Sequence, residues 1–192
     1  NAYSPLFSDF FKVHGLIDPF RGQIITSKPM KEKFKVTYPH SFDHGYEYSL
    51  VTPDNRLMIG GWRQNSQTRE VGTYDINTNP LIEEGLKRFV RDHYDIKEDL
   101  EWEFSWSGIM AASRTGLPFI GNTSSPRIYS CTGYTGHGFS WAHGSAHLLS
   151  QIIAGKPVSD MLGIAPLSGN IGPEEVAFSF DPSEKRDISG GV

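Results

Sequence analysis

The sequence predicts an α+β fold, in which a mostly antiparallel sheet is crossed by one helix and followed by a strand, a glycine-rich loop and a final helix. Between residues 33 and 110 the chain repeatedly alternates polar and apolar residues, which is the period of β-strands. One amphipathic helical segment interrupts these strands. A second follows the glycine-rich stretch at 133–138. Strands and helices separated along the chain in this way favour the α+β class.

The composition is that of a globular protein. The chain has 192 residues, of which 38% are hydrophobic and 12% aromatic, and this length is enough for one domain or slightly more. Its net charge of -4 argues against nucleic acid or an anionic membrane surface as a partner. No apolar run approaches the ~18 residues of a membrane span.

Cys131 is the single cysteine, so it cannot close an intramolecular disulfide. Together with the lack of a recognisable targeting segment, this predicts a reducing, cytoplasmic location. The chain begins at Asn1 without an initiator methionine, and we expect it to be part of a longer protein.

The first third of the chain predicts strands after a short helical turn. We expect strands at Gln23–Thr26 and Lys33–Pro39, followed by a hairpin that turns at Pro53-Asp54-Asn55 and returns along Arg56–Gly60. The outgoing strand of the hairpin places three residues on one face by its period of two: Tyr46, Tyr48 and Leu50.

A helix is predicted to begin at Asn79-Pro80. Asparagine caps free amides, proline suits the first helical position, and acidic residues follow near the positive helix end. The apolar stripe of this helix is Ile82, Leu86, Phe89 and Val90, and its expected surface ion pairs are Glu83–Lys87 and Glu84–Arg88.

The last part of the chain predicts three strands, at Leu100–Met110, Leu117–Gly121 and Arg127–Thr132. A helix from about Ser140 to Ala154 should follow. From Ala165 onward the composition predicts an irregular extension, anchored by Phe178-Ser179-Phe180.

The glycine loop is the most informative stretch. Gly133, Gly136 and Gly138 remove side chains at a strand-to-helix junction, so a ligand or another backbone can come close. The helix start presents unpaired N–H groups and positive potential, which favour an anionic or electron-rich group. The order GxxGxG differs from the dinucleotide fingerprint GxGxxG. A tight turn that needs positive φ is the alternative interpretation.

Six segments, in this order along the chain, resemble the D-amino-acid-oxidase-type flavoproteins, a group that includes glycine oxidase, sarcosine oxidase and γ-glutamylputrescine oxidoreductase. The segments are NAYSP (1–5), PFRGQ (19–23), RLMIGGWR (56–63), WSGIM (106–110), GLPFIG (116–121) and GYTGHGFSWAHGSAHLLSQIIAGKP (133–157).

The resemblance implies that the chain is the C-terminal half of an FAD-dependent oxidoreductase. The implied domains are a substrate-binding part at 1–121, the closing strand–loop–helix unit of the FAD-binding domain at 122–157, and an extension at 158–192. The implied reaction is oxidation of the C–N bond of an amine or amino acid by hydride transfer to flavin, which gives an imine and, in an oxidase, hydrogen peroxide. The implied partner is the N-terminal half of the same flavoprotein, and we expect no activity without it.

The resemblance also implies site residues. The cofactor-binding residues are Tyr134, Thr135, Gly136, His137, Gly138, Phe139 and Ser140. We expect FAD to be held without a covalent bond through this half, because Gly108 stands where sarcosine oxidase-like proteins have the flavin-linking cysteine. The lysine that such proteins carry after G-H-G-F is Ser140 here.

Substrate-binding candidates are the aromatic residues Tyr46, Tyr48 and Trp106, which suit an amine or its cation. Met110 stands where glycine oxidase-like proteins have a carboxylate-binding arginine. Arg114 lies four residues further on and is a candidate to replace it, with a turn residue as the other interpretation.

Three histidines leave alternatives open. His137 is a candidate for a catalytic base, and a hydrogen-bonding role near the backbone is the other interpretation. His143 and His147 are spaced i,i+4, so a metal-dependent hydrolase built on the three histidines is conceivable, although no third ligand has a fixed spacing and we expect no metal. A non-catalytic domain that keeps the fold without the cofactor is the remaining alternative.

Overall fold

The computed structural model describes residues 2–35 and 38–156. Its strands and helices are β1 (Ile17–Ser27), β2 (His40–Phe42), β3 (Glu47–Val51), β4 (Leu57–Gly60), β5 (Trp102–Ser113), β6 (Phe119–Asn122), β7 (Tyr129–Thr132), α1 (Ser8–Phe11), α2 (Pro80–His93) and α3 (Gly138–Ile153). Single 3-10 turns lie at Ser4–Phe7, Asp43–Gly45 and Arg63–Asn65.

The described residues fall into two compact units. Arg21–Gly108 form one, which we call the sheet unit. The other, the loop unit, contains the described residues up to Phe20 and those from Ile109 to Lys156. The domain boundaries expected from the sequence remain a prediction.

Antiparallel strands and α2 build the sheet unit. The five-stranded sheet has the order β2-β3-β4-β1-β5, and β3 pairs with β4 through the predicted hairpin, with Ser49 opposite Ile59. The apolar stripe of α2 packs on the sheet, because strand and helix residues share one buried cluster: Ile25, Leu57, Ile59, Ile82, Leu86, Phe89 and Val90. This confirms the crossing helix and its stripe.

The start of α2 is capped as the sequence predicts. The Asn79 side chain accepts a hydrogen bond from the Leu81 amide at 3.0 Å, and Pro80 is the first helical residue. The pair Glu83–Lys87 is confirmed at 2.8 Å. The expected partner of Glu84 was wrong, since Glu84 pairs with Lys87 at 2.9 Å.

The strand predicted at Lys33–Pro39 was wrong for its described residues. The strand that pairs with β3 is only three residues long and begins at His40. Asn55, in the left-handed region at φ 63°, accepts a hydrogen bond from the Phe34 amide and donates to the Met30 and Glu32 carbonyls. A side chain therefore satisfies backbone groups that a strand would offer to a neighbour.

The loop unit contains the β6–β7 hairpin with α3 packed on it. Ile120 and Leu148 are buried together, and Trp141, Leu149 and Ile152 pack against them. The hydroxyl of Ser4, from the NAYSP segment, hydrogen-bonds to the Thr132 hydroxyl at 2.6 Å. The first residues are thereby fixed to the end of β7.

Two expectations concern the rest of the chain. The irregular extension with Phe178-Ser179-Phe180 lies outside the described residues. Among the helices of the described part, none has the length and apolar character needed to span a membrane.

Candidate functional site

The glycine loop connects β7 to α3 through left-handed backbone. Gly133 and Gly136 have φ values of 77° and 78°, and Thr135 between them has φ 52°. Gly138 is the first residue of α3. The loop therefore changes direction twice within a few residues, and glycine allows this at little steric cost.

The three glycines have different surroundings. A Cβ at Gly133 would lie 3.1 Å from Ser113 Cβ and 3.2 Å from Ile17 Cδ1. Glycine is therefore needed at this position for the loop to pack against the core of its own unit. A Cβ at Gly136 would find only Met110 Sδ, at 3.8 Å, and one at Gly138 only Tyr134, from 3.7 Å. The last two glycines therefore leave open space on the loop surface.

Thr135 fastens the loop to β5. Its amide donates to the Ala111 carbonyl at 2.8 Å, and its hydroxyl accepts a hydrogen bond from the Ser113 amide at 3.1 Å. These contacts turn the Thr135 side chain toward its own unit. The sequence assigned this residue to the cofactor. Sequence analysis did not identify Ser113 and Ala111 as the hydrogen-bond partners of Thr135, because no motif in the sequence marks either residue for this role.

His137 hydrogen-bonds within its own loop. Its Nδ1 donates to the Thr135 carbonyl at 2.8 Å, and the ring is exposed. The side chain makes no capping bond to α3, although His137 occupies the N-cap position. The geometry favours the backbone-proximal role, and catalysis by His137 stays a prediction.

The start of α3 has free donors. The amides of Gly138, Phe139 and Ser140 precede the first intrahelical donor, the Trp141 amide, which bonds to the His137 carbonyl at 3.2 Å, and in the described part of the chain no side chain caps them. The Phe139 side chain is fully exposed. Bare glycines, uncapped amides and the positive end of a 16-residue helix fit the electron-rich edge of a flavin ring. The residues present are thus compatible with FAD.

Cys131 and Tyr134 flank this loop in a less polar environment. Burial raises the pKa of the Cys131 thiol and of the Tyr134 hydroxyl. The Cys131 thiol points to the Ser145 carbonyl at 3.9 Å. Both groups are therefore kept in their neutral forms, and Cys131 packs against the Ile120–Leu148 cluster from β7.

Met110 and Arg114 lie at the β5 side of the loop unit. Met110 is the nearest side chain to the open face of Gly136, so the structure brings this substrate candidate beside the cofactor candidates. Arg114 follows the end of β5, and its guanidinium pairs with Asp18 at 3.4 Å. A structural ion pair thus already holds the arginine that could replace the missing carboxylate ligand.

The aromatic candidates Tyr46, Tyr48 and Trp106 belong to the sheet unit. The Tyr48 ring covers Gly60, where a Cβ would lie 2.6 Å from it, and burial raises the pKa of its hydroxyl. Trp106 is 41% exposed. Because Ser49 faces the α2 side through its 2.5 Å contact with Tyr94, the alternate residue Tyr48 occupies the opposite face of β3.

Two charged groups on this hairpin were missed by sequence reasoning. Arg63 is buried with its guanidinium 4.8 Å from the Tyr46 ring centre, and burial lowers its pKa. Glu47 is only 2% exposed, and burial raises its pKa, while a hydrogen bond from Gln64 at 2.5 Å opposes that shift. A two-residue alternation alone does not reveal a buried carboxyl.

The PFRGQ segment has a structural role. Arg21 forms an ion pair with the buried Glu70 and a second with Asp75 at 2.9 Å, which fixes the long connection before α2. Gln23 accepts a hydrogen bond from the Asn79 amide at 2.7 Å. These residues position the start of α2.

The metal alternative finds no support in the described residues, which include all three histidines. Within this part of the chain, no group of three or more histidine, cysteine or acidic residues could hold an ion. His147 Nε2 instead lies 3.0 Å from the Gln151 amide nitrogen.

The described residues thus form an antiparallel sheet unit and a strand–glycine loop–helix unit whose helix begins with uncapped amides. The model of the FAD dependent oxidoreductase family matches residues 1–152. The chain belongs to this family.

Solved structures of the same fold agree with this assignment. Glycine oxidase from Geobacillus kaustophilus superposes with a TM-score of 0.64 at 22% identity, over 82% of this chain and 41% of that one. Iminodiacetate oxidase from Chelativorans sp. BNC1 gives 0.65 at 18% identity, over 86% and 44%. Fructosamine oxidase from Aspergillus fumigatus gives 0.63 at 12% identity, over 92% and 44%. The chain thus spans less than half of each of these proteins.

Proposed function

We propose that this chain is the C-terminal portion of an FAD-dependent oxidoreductase that oxidises the C–N bond of an amine or amino acid to an imine. Bound FAD would supply the hydride acceptor, and hydrogen peroxide would be a product if oxygen takes the electrons. The observation that carries the proposal is the open glycine loop, which leads into α3 with three uncapped amides. Family membership supports it.

The cofactor role falls to the loop and the first turn of α3. The bare backbone at Gly136 and Gly138 would let the flavin ring approach, and the amides of Gly138, Phe139 and Ser140 would stabilise negative charge on it. Thr135 would contribute by holding the loop on β5. No covalent attachment through this half is proposed, since Gly108 stands where sarcosine oxidase-like proteins carry the flavin-linking cysteine.

The substrate role falls to Met110 beside the loop and to Tyr46, Tyr48 and Trp106 in the sheet unit. The names of the similar structures specify glycine, iminodiacetate and fructosamine, all of which contain an oxidisable C–N bond. The engagement of Arg114 with Asp18 makes it a poor carboxylate ligand. We therefore favour an amine, or a substrate larger than a simple α-amino acid.

The proposed partner is the N-terminal half of the same flavoprotein, which would carry the remaining FAD contacts. The chain spans less than half of its solved relatives, which supports this need. We propose that the chain alone is inactive and that the assembled protein acts in the cytoplasm.

The test is flavin retention by the flavoprotein that contains this chain, measured by its visible absorption and by the mass of released FAD. Gly136→Val should lose most of the flavin, because its side chain would cover the open face of the loop. Gly72→Val is the matched control: Gly72 has φ 77° against 78° for Gly136, and its Cβ would also have ample space.

If both variants retain flavin equally, the loop is not the flavin site. A wild-type protein that never takes up FAD would favour the non-catalytic alternative. Flavin retention followed by no flavin reduction with any amine or amino acid tested would contradict the proposed substrate class.

A further inference from the structure

The five-stranded sheet has a second face, on the side away from α2. Leu57 and Ile59 of β4 belong to the buried cluster that includes the apolar stripe of α2. The alternate residues of β4, Met58 and Gly60, therefore lie on the opposite face of the strand. We call this second face of the sheet the open face, because the α-helix of the described sheet unit packs on the other side.

The strand register assembles an apolar surface on the open face. Residues paired across neighbouring antiparallel strands share one face of the sheet. Two rows of three paired residues cross β3, β4 and β1 on the open face: Tyr48, Gly60 and Ile24, and Leu50, Met58 and Thr26. Most of the surface that these rows present is hydrocarbon or aromatic, and Leu50 is 36% exposed.

Strand β5, which neighbours β1, extends the open face with two exposed aromatic rings. The Ser105 hydroxyl lies 3.5 Å from Gln23 Nε2, and the Gln23 side chain also accepts a hydrogen bond from the Asn79 amide at the start of α2. Ser105 is therefore on the α2 side. The alternate residues Phe104 and Trp106 lie on the open face, where they are 52% and 41% exposed. Exposed apolar patches of this kind mark binding surfaces.

Tyr48 gives the open face an aromatic floor. A Cβ at Gly60 would lie 2.6 to 2.7 Å from Cζ, Cε2 and Oη of Tyr48, so the outer end of the phenol ring lies against the Gly60 backbone. Glycine at this position thus lets the ring lie along the sheet. Burial raises the pKa of the Tyr48 hydroxyl, which keeps the ring neutral. A second aromatic ring can pack on such a surface by offset stacking or by edge-on contact.

The charged groups beside the open face are engaged within the protein. At one end, Arg56 is paired with both Asp54 and Glu103. At the other end, the buried Arg63 guanidinium donates to the Arg69 carbonyl at 3.2 Å. The open face is therefore suited to hold a ligand by apolar contact, and it is less suited to an ion pair with a carboxylate or an ammonium group.

We propose that the open face binds the apolar part of the substrate, and that the flavoprotein prefers an amine with an aromatic substituent to one with a carboxylate. The substrate ring would pack on Tyr48 and against Phe104 and Trp106. A sheet face is one wall of a site. The opposite wall would come from the proposed N-terminal half, since the chain spans less than half of its solved relatives. This inference rests on the proposed function and narrows its substrate class.

The first test measures binding to the FAD-loaded flavoprotein that contains this chain. The three probes cannot be oxidised, because the carbon next to their nitrogen carries no hydrogen, and they differ only in one substituent of that carbon: phenyl in cumylamine, methyl in tert-butylamine and carboxylate in 2-aminoisobutyrate. Titration calorimetry should show cumylamine binding at least about tenfold more tightly than either of the others. Tightest binding of 2-aminoisobutyrate would overturn the inference. Equal affinities would also overturn it, and are expected if the N-terminal half itself covers the open face.

Variants locate the preference on the open face. Trp106→Ala should reduce the preference for cumylamine over tert-butylamine by about tenfold, because it removes one of the rings that contact the phenyl group. Leu50→Ala should reduce it as well, and keeps the test available if Trp106→Ala does not fold. The control is Leu81→Ala, which removes an apolar side chain that is 75% exposed on α2 and should leave the preference unchanged. An unchanged preference in both open-face variants would contradict the inference.

Flavin reduction separates this inference from the proposed function. Benzylamine, ethylamine and glycine carry the same three substituents on an oxidisable carbon, and benzylamine should have a kcat/KM at least about tenfold above the others. If none of them reduces the flavin while cumylamine keeps its preference, the proposed reaction fails and the binding surface stands. If all three reduce the flavin equally well, the proposed reaction stands and the inference about the open face fails.

Discussion

Single residues determine the candidate site through backbone conformation and burial. A side chain at Gly133 would collide with the surrounding core of the loop unit, whereas a side chain at Gly136 would extend into open space. The sequence identified both positions but could not separate these reasons, since the difference depends on where Ser113 and Ile17 lie in the fold. The buried carboxyl of Glu47 escaped notice for a similar reason, because its burial depends on tertiary contacts.

Replacing Gly133 by alanine should destabilise the protein by about 1–3 kcal/mol, through the positive φ and the contacts of 3.1 and 3.2 Å that a Cβ would make. Gly144→Ala is the control, because Gly144 lies inside α3 with open space around its Cβ. That change should stabilise the helix by up to about 1 kcal/mol. Urea denaturation measures both, and equal effects would argue against tight packing at Gly133.

The raised pKa of Glu47 predicts a pH dependence of stability. Because the folded state holds the proton more tightly than the unfolded state, this residue's contribution is fully present below its ordinary pKa. The contribution is then lost as the pH rises through the raised pKa of the folded state. Glu47→Gln should remove this loss and gain stability relative to the wild type toward neutral pH.

Urea midpoints of the wild type and Glu47→Gln, compared from about pH 4 to about pH 7, test this expectation. The exposed Glu84→Gln serves as the control, and its difference from the wild type should not follow the same trend. A constant difference between the wild type and Glu47→Gln across this range would show that the carboxyl titrates normally in the folded protein.

At the level of secondary-structure elements, the sequence correctly predicted the helix and the hairpin whose ends are determined by neighbouring residues in the chain. Asn79-Pro80 and the apolar stripe located α2, and the Pro53-Asp54-Asn55 turn located the β3–β4 hairpin. The strand expected at Lys33–Pro39 failed because Asn55 binds the Phe34 amide and Glu98 binds the amides just before it, at Lys31 and Glu32, so that this stretch is held as an irregular loop. Alternating residues predict a strand only where a neighbouring strand is available for pairing. The sequence likewise predicted the glycine loop but not its attachment to β5.

The cap of α2 can be divided into its two contacts. Asn79→Ala removes the acceptor for the Leu81 amide and the donor, at 3.0 Å, to the buried Glu70. We expect a loss of about 1–3 kcal/mol in the free energy of unfolding. Asn79→Ser keeps a capping oxygen but not the donor to Glu70, so its loss should be smaller. If serine costs as much as alanine in urea denaturation, the capping bond contributes nothing.

At the scale of the whole molecule, the described part of the chain passes twice from one unit to the other. Strand β1 begins in the loop unit and continues into the sheet unit, and β5 runs the other way, with the divisions after Phe20 and Gly108. The glycine loop is anchored at the loop-unit end of β5 through Ala111 and Ser113. Continuous strands imply that order in one unit depends on order in the other.

We therefore expect the two units to unfold together. Gly133→Ala, in the loop unit, should lower the opening free energy of the α2 amides in the sheet unit as much as that of the α3 amides. Asn79→Ala should conversely weaken the protection of α3. Hydrogen exchange followed by mass spectrometry of peptides from both helices measures these effects, with Gly144→Ala as the variant that should weaken neither. If each destabilising variant affected only its own unit, the strands would not transmit stability, and the units would be independent in this chain.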